Sequence, residues 1–467
     1  MPGVKRKRFV LCGLSDRGIG MFALPMLGRS EFLDAADDLS DLVELVAVLD
    51  IDQIRMDRFN ERTGADLATY GPDGFDAMIA DHRPDAVVVA SPDATHAGYV
   101  IAALRHDLDV IVEKPLAAFA EQAREILLAE RASAGSVTVG HNVRYSTSLR
   151  RMRNLVAGGA IGRVVSVDLL WGVDTYHGAS YFRRWNRERA NSGGLSVHKA
   201  VHHLDMVNWI IGAVPAEVYS AGARNFYGPQ SPHRPHGPDG PDGEQLPIEA
   251  ERRLSPYHQR WQGDALPPAQ DHFAGPWQAM GYPVQYPEGS DRYVFDEAID
   301  IEDTYSTVVR FASGASMSYS LCFSFPWEGF RLGITGTHGR IETDQITFRG
   351  SDSPSSEVVR LLPLFGAQER IEVETQGGGH GGTDRRIRRD LLLRASELSR
   401  RDGLDASSLQ GAIAVATGEA MWRSQLEHRP ISIAETLGLE ELPTWNAALD
   451  SVRFTSGDTS GDTSGGR

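Results

Sequence analysis

The stretch SGGLSVHKAVHHLDMVNW, Ser192–Trp209, gathers three imidazoles, one ammonium and one carboxylate within a short span. Val197, Val201, Leu204 and Ile211 recur at helical spacing, so the stretch reads as a helix with one face turned inward. Ser192, Gly193 and Gly194 read as its start, a polar cap followed by small residues. On such a helix His198, His202 and Asp205 share a face at i, i+4 and i+7, with Lys199 and His203 on a neighbouring one. Three uses suit these residue types. Two histidines four apart can share a zinc ion, but a third ligand and the acid of H-E-x-x-H are missing, so no metal is expected. Histidines can also be hydrogen-bonded inside a packed helix, and His203 is the first candidate for that. Proton transfer is the third use. An imidazole titrating near ~6.5 can take the O–H proton of a secondary alcohol as hydride leaves its carbon.

Elements earlier in the chain must bring a cofactor and a substrate to those groups. Over residues 8–145, strand-like and helix-like segments alternate, as in a doubly wound parallel sheet. RFVLCG reads as a buried strand running into the turn Gly13-x-Ser15-x-x-Gly18, with serine in place of the usual second glycine. Backbone N–H groups at such a turn can approach a pyrophosphate at a helix N-terminus. LVELVAVLD is a second strand, ending on Asp50, where a carboxylate accepts from a ribose diol and repels a 2′-phosphate. NAD is therefore favoured over NADP. Asp50 lies further downstream than the usual ~20 residues, and the acidic stretch Glu31–Asp41 accounts for the difference. DAVVVASP and LDVIVEKP are further strands, joined by the helix ATHAGYVIAALRH, and SVTVGHNVRY closes the set. Strand ends of this kind border the ligand crevice, so VEKPL puts the Lys114 ammonium at its mouth while Pro115 restrains the turn.

Together, Gly13-x-x-x-Arg17-Gly18, Asp50, SPDATHAGYVIAAL, VIVEKPLA and GHNVRY resemble the Gfo/Idh/MocA superfamily of glucose–fructose oxidoreductase and inositol dehydrogenase. The resemblance spans residues 8–215 and resumes from about 299 to 432. It implies a Rossmann domain over 1–145 that holds NAD through Gly13, Ser15, Arg17, Gly18, Asp50, Ser91, His96, Glu113, Lys114 and Arg144. It implies Lys114 and His202 as the catalytic pair, with His198 orienting or relaying. His198 stands where many members carry Asp or Glu, which leaves Lys199 and Asp205 to share the tuning of His202. Tyr145, Tyr176, Arg183, Arg184, Trp185, Lys199, His203 and His380, the last in GGGHGGTD, stand on the substrate side. The implied activity is hydride transfer between NAD and a hydroxyl carbon of a sugar, cyclitol or glycoside. One alternative is a glycosidase or lyase that retains its NAD, with the tyrosine and histidine near residues 176–181 as additional acid and base. A non-catalytic cofactor sensor is the other.

Residues 146–450 carry alternating strands such as RVVSVDLLW and FRLGITGTHGRIETD, the pattern of an open, mostly antiparallel sheet with helices on one face. The resemblance implies that its outer face mediates a homodimer or tetramer. Residues 225–292 hold twelve of the 24 prolines and read as an insertion, either a lid or arm or a variable surface loop. SGDTSGDTSGGR, within 451–467, reads as a disordered tail. The chain's 467 residues suit two domains. Its 47 Lys+Arg against 63 Asp+Glu, a net charge of −16, disfavour nucleic acid or an anionic membrane as partner. Only Cys12 and Cys322 occur, which fits a reducing cytoplasm. The basic cluster Lys5–Arg8 reads as a solvated strand entrance, and no apolar run approaches the ~20 residues of a membrane helix.

Overall fold

A computed structural model describes residues 6–29, 34–235, 247–254, 292–348, 356–374 and 383–438. Its first sheet is built from β1 (Lys7–Cys12), β2 (Val43–Leu49), β3 (Ala68–Tyr70), β4 (Ala86–Val89), β5 (Asp109–Val112) and β6 (Val137–Val139). These strands pair in parallel in the order β6-β5-β4-β1-β2-β3. AVVV in β4 is wholly buried, as a central parallel strand covered on both faces must be. The strand order reverses between β1 and β4, and the ligand crevice of such a sheet opens beyond the strand ends at that point.

The second sheet comprises β7 (Val164–Asp174), β8 (Pro215–Ala223), β9 (Thr304–Phe311), β10 (Ser316–Phe325), β11 (Glu328–Gly336), β12 (Gly339–Thr347), β13 (Ser356–Pro363) and β14 (Glu369–Glu374). Its order is β14-β13-β12-β11-β7-β10-β9-β8, antiparallel throughout except for the parallel pair β7 and β10. The alternation in β9 is clean: Tyr305, Thr307, Val309 and Phe311 are buried, while Ser306, Val308 and Arg310 face outward. One sheet face therefore packs against helices and the other is open.

The last segments cross the boundary expected at residue 145. β15 (Ala406–Ser407) pairs antiparallel with β6 of the first sheet, and β16 (Ile431–Ser432) adds to β8 of the second. Between them the helix Ser408–Glu427 begins at a capping box of Ser407 and Gln410 and packs on β8, on the helix Ala200–Ile211 and on the helix Ala120–Arg131. A helix that is apolar on several faces needs partners on several sides, so this one ties the two halves together. The helix Thr383–Leu393 also returns to the first half, where Arg388 Nε donates to the Met21 carbonyl at 3.0 Å. Within the proline-rich insertion, the helix Ile248–Leu254 is held by a bidentate Arg234–Glu251 pair. The tail at 451–467 lies outside the described residues. No helix among the described residues is long and apolar enough to cross a membrane.

Candidate active site

The nucleotide turn is shaped by backbone. Gly13 has φ of 98°, and a Cβ there would lie 2.6 Å from the Ser91 nitrogen, so only glycine lets β1 turn against the exit of β4. Ser15, standing where a second glycine is usual, has a use of its own. Its hydroxyl accepts from Gly18 N–H at 3.1 Å and donates to the Ala90 carbonyl at 2.8 Å, capping the first helix and tying the turn to β4. Asp50 Oδ2 accepts from Leu14 N–H at 2.7 Å and Oδ1 from Asp52 N–H at 3.1 Å. Burial raises this carboxyl above its usual range, and those amides pull it back. A cradle that a Cβ would fill, a helix N-terminus and an acid at the tip of β2 fit a dinucleotide.

Arg17 and Glu113 meet at this turn, Nε to Oε1 at 2.9 Å, and a second arm of Arg17 reaches Asp384 Oδ2 at 3.0 Å. Ser91 packs against Gly13, its hydroxyl 2.7 Å from that of Thr95. Two residues expected at the cofactor are braces instead. His96 is buried, with ring nitrogens 2.8 Å from the carbonyls of Pro115 and Ser91, so it supports the loop carrying Lys114. Arg144 is 1% exposed and grips Asp205 with two nitrogens, at 2.7 and 2.5 Å, while also donating to Gly403 and Gln410. Four of the five N–H groups of this guanidinium are thus engaged within the protein.

The histidine stretch is not one helix. Ser192 ends a short helix, Arg189–Ser192, and Gly194, not Ser192, is the cap residue of the next turn, Leu195–His198. Lys199, the cap shared by that turn and the helix Ala200–Ile211, then interrupts the helix for one residue. Gly193, with φ of 70°, makes this approach possible: a Cβ there would lie 2.1 Å from the Ala118 carbonyl. The loop carrying the Lys114–Pro115 bond, which is cis, is thereby pressed against the break. His202 N–H turns to the Lys199 carbonyl at 3.3 Å, and the His198 carbonyl accepts from Lys114 Nζ at 3.1 Å. The ammonium from the nucleotide-binding half and the histidine segment of the second half therefore meet.

The break also separates partners that an unbroken helix would have aligned. His198 Nδ1 lies 2.6 Å from Asp93 Oδ2, and its Nε2 lies 3.0 Å from Asn186 Nδ2. An amide nitrogen can only donate, so Nε2 accepts and the proton sits on Nδ1, facing Asp93. A carboxylate–histidine partnership is formed here by His198 and not by His202, with its carboxylate supplied by the other half of the chain. His202 lies edge-on to His141, centroids 6.3 Å apart, and its buried Nδ1 has no hydrogen-bond partner. Asp205 belongs to Arg144 and does not share in tuning His202. His203 is fully buried, bonded to the Tyr319 hydroxyl at 2.6 Å and stacked on Trp171 at 3.7 Å, so it is core and not a substrate contact. Tyr145 is likewise buried; burial first, then Asp390, raises its hydroxyl far above the usual range. Tyr176, Arg183, Arg184 and Trp185 keep partial exposure, and Trp185 stands edge-on to His198 at 5.5 Å. His380 lies outside the described residues.

Charge follows this geometry. Burial lowers the Lys114 ammonium to about 8, against the pull of Asp93. His202 is held well below its ordinary value by burial and then by Lys114 and Lys199. His198 is lowered by burial, partly offset by Asp93, and burial brings His141 to about 4. The imidazoles are thus neutral acceptors at neutral pH, and Lys114 titrates nearest to it. Titration of His202 near the free imidazole value is not what this environment permits.

Several residues of the site escaped notice in the sequence. Asp93 and His141 lie inside stretches already conspicuous, SPDATHAGYVIAAL and GHNVRY, yet neither could be given a partner. Asn186 carries no signal beyond its neighbourhood, while Asp384 in GGGHGGTD and Tyr181 within residues 176–181 stand in conspicuous stretches without a legible partner. Glu328 opens β11, far from any motif, and only folding brings it to His177, 3.1 Å away.

Known proteins share this architecture. Residues 17–141 match the model of the oxidoreductase family, NAD-binding Rossmann fold, and residues 153–433 match that of its C-terminal alpha/beta domain. The chain is 40% identical over 453 residues to the putative oxidoreductase YteT of Bacillus subtilis, covering 93% of this chain and 100% of that protein. It is 35% identical over 184 residues to inositol 2-dehydrogenase of Rubrobacter xylanophilus, covering 38% and 48% of the two chains. Among solved structures, levoglucosan dehydrogenase in complex with NADH has the same fold, with a TM-score of 0.62, 17% identity and coverage of 92% and 99%. The chain belongs to the Gfo/Idh/MocA oxidoreductase family, as an NAD-binding Rossmann domain joined to a mostly antiparallel sheet.

Proposed function

We propose that this protein is an NAD-dependent dehydrogenase acting on a ring carbon that bears a hydroxyl, in a sugar, a cyclitol or a glycoside. The observation that carries the reading is the 3.1 Å bond from Lys114 Nζ to the His198 carbonyl, one turn before His202. It ties the ammonium at the crevice to the backbone of the segment that carries His202. Among relatives, the inositol and levoglucosan dehydrogenases support a polyhydroxylated ring as substrate.

Gly13, Ser15 and Gly18 would hold the pyrophosphate, and Asp50 the adenosine ribose, where its charge disfavours a 2′-phosphate. The bound dinucleotide supplies the hydride acceptor. Lys114 donates to the substrate hydroxyl oxygen and stabilises charge as it develops there. His202, neutral and unpartnered at Nδ1, accepts the hydroxyl proton directly or through Lys114. His198, fixed by Asp93 and Asn186, sets the position of its own carbonyl and thereby of Lys114. Self-association through the open face of the second sheet is part of the reading, since Tyr219 and Val308 pair there while 51% and 52% exposed.

The test is incubation of the purified protein with NAD and a panel containing inositol and levoglucosan, following NADH absorbance. NADH formation that falls by about 10³-fold in Lys114→Ala supports the reading. Aryl glycosides that release phenol with no net NADH would overturn it in favour of a glycosidase or lyase that recycles its own cofactor.

A further inference from the structure

A second string of acid–base groups reaches the same break in the histidine segment. Lys199 acts electrostatically on the Tyr181 hydroxyl at its inner end. That hydroxyl lies 2.9 Å from His177 Nε2, and His177 Nδ1 lies 3.1 Å from Glu328 Oε1. An ionised carboxylate can only accept, so the donor sense of the string is set from the Glu328 end. His177 Nδ1–H donates to Glu328, which leaves Nε2 as the acceptor, and Tyr181 O–H donates to it.

The scaffold holds this string in place. Tyr181 and His177 are four apart on the helix Thr175–Arg183, so they share a face, and their rings stack at 5.1 Å. Asp174 caps that helix by accepting from the amides of Tyr176 and His177, while its own N–H donates to Glu328 Oε2 at 2.9 Å. At the inner end, the Tyr181 ring stands edge-on to His198 with centroids 5.6 Å apart. Exposure rises along the string: Tyr181 is 8% exposed, whereas the side chains of His177 and Glu328 are 24% and 31% exposed. It therefore leads from the buried histidine segment towards water.

The protonation states agree with the donor sense. Burial lowers His177, which stays neutral despite Glu328. Burial opposes ionisation of Glu328, yet His177 and Lys199 bring its carboxyl down to about 2. Lys199 is raised, because Tyr181 and Glu328 outweigh its burial. A neutral imidazole with one proton between a phenol and a carboxylate is the arrangement that lets a proton pass.

We infer that Tyr181 is a further catalytic acid–base residue, acting on a substrate oxygen, with His177 and Glu328 as the positioning residues that carry its proton to and from solvent. In the accepting direction, a substrate O–H proton moves to Tyr181 Oη as the phenolic proton moves to His177 Nε2. The His177 Nδ1 proton then moves to Glu328 Oε1. No electrons change hands, and the reverse sequence delivers a proton. The inference rests on the proposed function only in requiring a hydroxylated substrate beside His198.

Two measurements test it. The first needs no turnover: ring-¹⁵N histidine spectra of the NAD-loaded protein, with the His177 signals assigned by His177→Gln. A neutral ring protonated at Nδ1, and changed by Glu328→Gln, is expected; a ring protonated at Nε2, or cationic at neutral pH, overturns the string. The second uses whichever of inositol or levoglucosan is turned over. Tyr181→Phe should lower kcat by about 10²-fold with KM and NAD affinity nearly unchanged, and should remove one limb of the pH–rate profile. Glu328→Asp should keep more activity than Glu328→Gln. A Tyr181→Phe enzyme with wild-type kcat and both limbs would show a brace only. Should neither compound be turned over while NAD is bound, the dehydrogenase reading fails, and the histidine spectra alone uphold or overturn the string.

Discussion

His198 Nδ1 lies 2.6 Å from Asp93 Oδ2, so a carboxylate in the first turn of a helix on the nucleotide-binding sheet orients an imidazole of the second half. The carbonyl of that same histidine receives Lys114. One residue is thus held by its ring from one loop of the first sheet and holds, by its backbone, the ammonium of another. The geometry of the crevice depends on both contacts.

Asp93→Asn tests the first. An amide can present nitrogen or oxygen to His198 and no longer stabilises the proton on Nδ1. We expect kcat/KM to fall by roughly 10²-fold while NAD affinity, measured by fluorescence titration, stays the same. Because Asp93 opposes the effect of burial on His198, its loss moves that imidazole further down, away from neutrality.

Lys114 should set a limb of the pH–rate profile. Because the ammonium donates to the substrate oxygen, the rate of oxidation should fall as Lys114 loses its proton through about 8. Stability gives an independent reading. The folded value lies below the ordinary 10.5, so the cost of burying the ammonium is present in full below pH 8 and is lost as pH rises towards 10.5. Lys114→Met should therefore raise the melting temperature at neutral pH while abolishing turnover. An unchanged or lower melting temperature would contradict the burial cost.

Asp50 should govern the choice of dinucleotide. Asp50→Ser removes the charge opposed to a 2′-phosphate, and NADP binding should strengthen relative to NAD by about tenfold or more in a paired titration. Affinity for NAD should also weaken, because the Leu14 amide loses the acceptor that fixes the turn.

The Arg144–Asp205 pair should matter to stability and not to the cofactor. Breaking a buried bidentate pair from one side leaves an uncompensated charge, at a cost of about 3–5 kcal/mol. Asp205→Ala should lower the melting temperature strongly, and a double exchange of both partners for apolar residues should recover part of that loss. NAD affinity of the folded fraction should not change. If Arg144→Met instead weakens NAD binding without loss of stability, Arg144 contacts the cofactor after all.

Much of this site was legible from local pattern. The Gly-rich turn after a buried strand, Asp50 at the next strand end, and Glu113-Lys114-Pro115 at a third each announce themselves in a few residues. Strand period, turn chemistry and strand-end position are properties of short segments, so they survive without knowledge of the rest. Reading Ser192–Trp209 as one helix went wrong for a related reason. Its apolar spacing is helical on both sides of Lys199, whereas Gly193, left-handed and close against the Ala118 carbonyl, ends the helix Arg189–Ser192 through a contact no local pattern contains.

What the amino-acid order determined by itself is the pair of sheets, the dinucleotide turn and the presence of a lysine and histidines suited to proton transfer. Only the tertiary structure decided which of those ionisable groups work together. His198 finds Asp93 across 105 residues, His177 finds Glu328 across 151, and Arg144 takes Asp205 across 61. Such pairings depend on how two elements cross and how deeply they are buried. Burial in turn sets which groups are charged, since a side chain's affinity for protons follows the solvent and charges it loses or gains on folding.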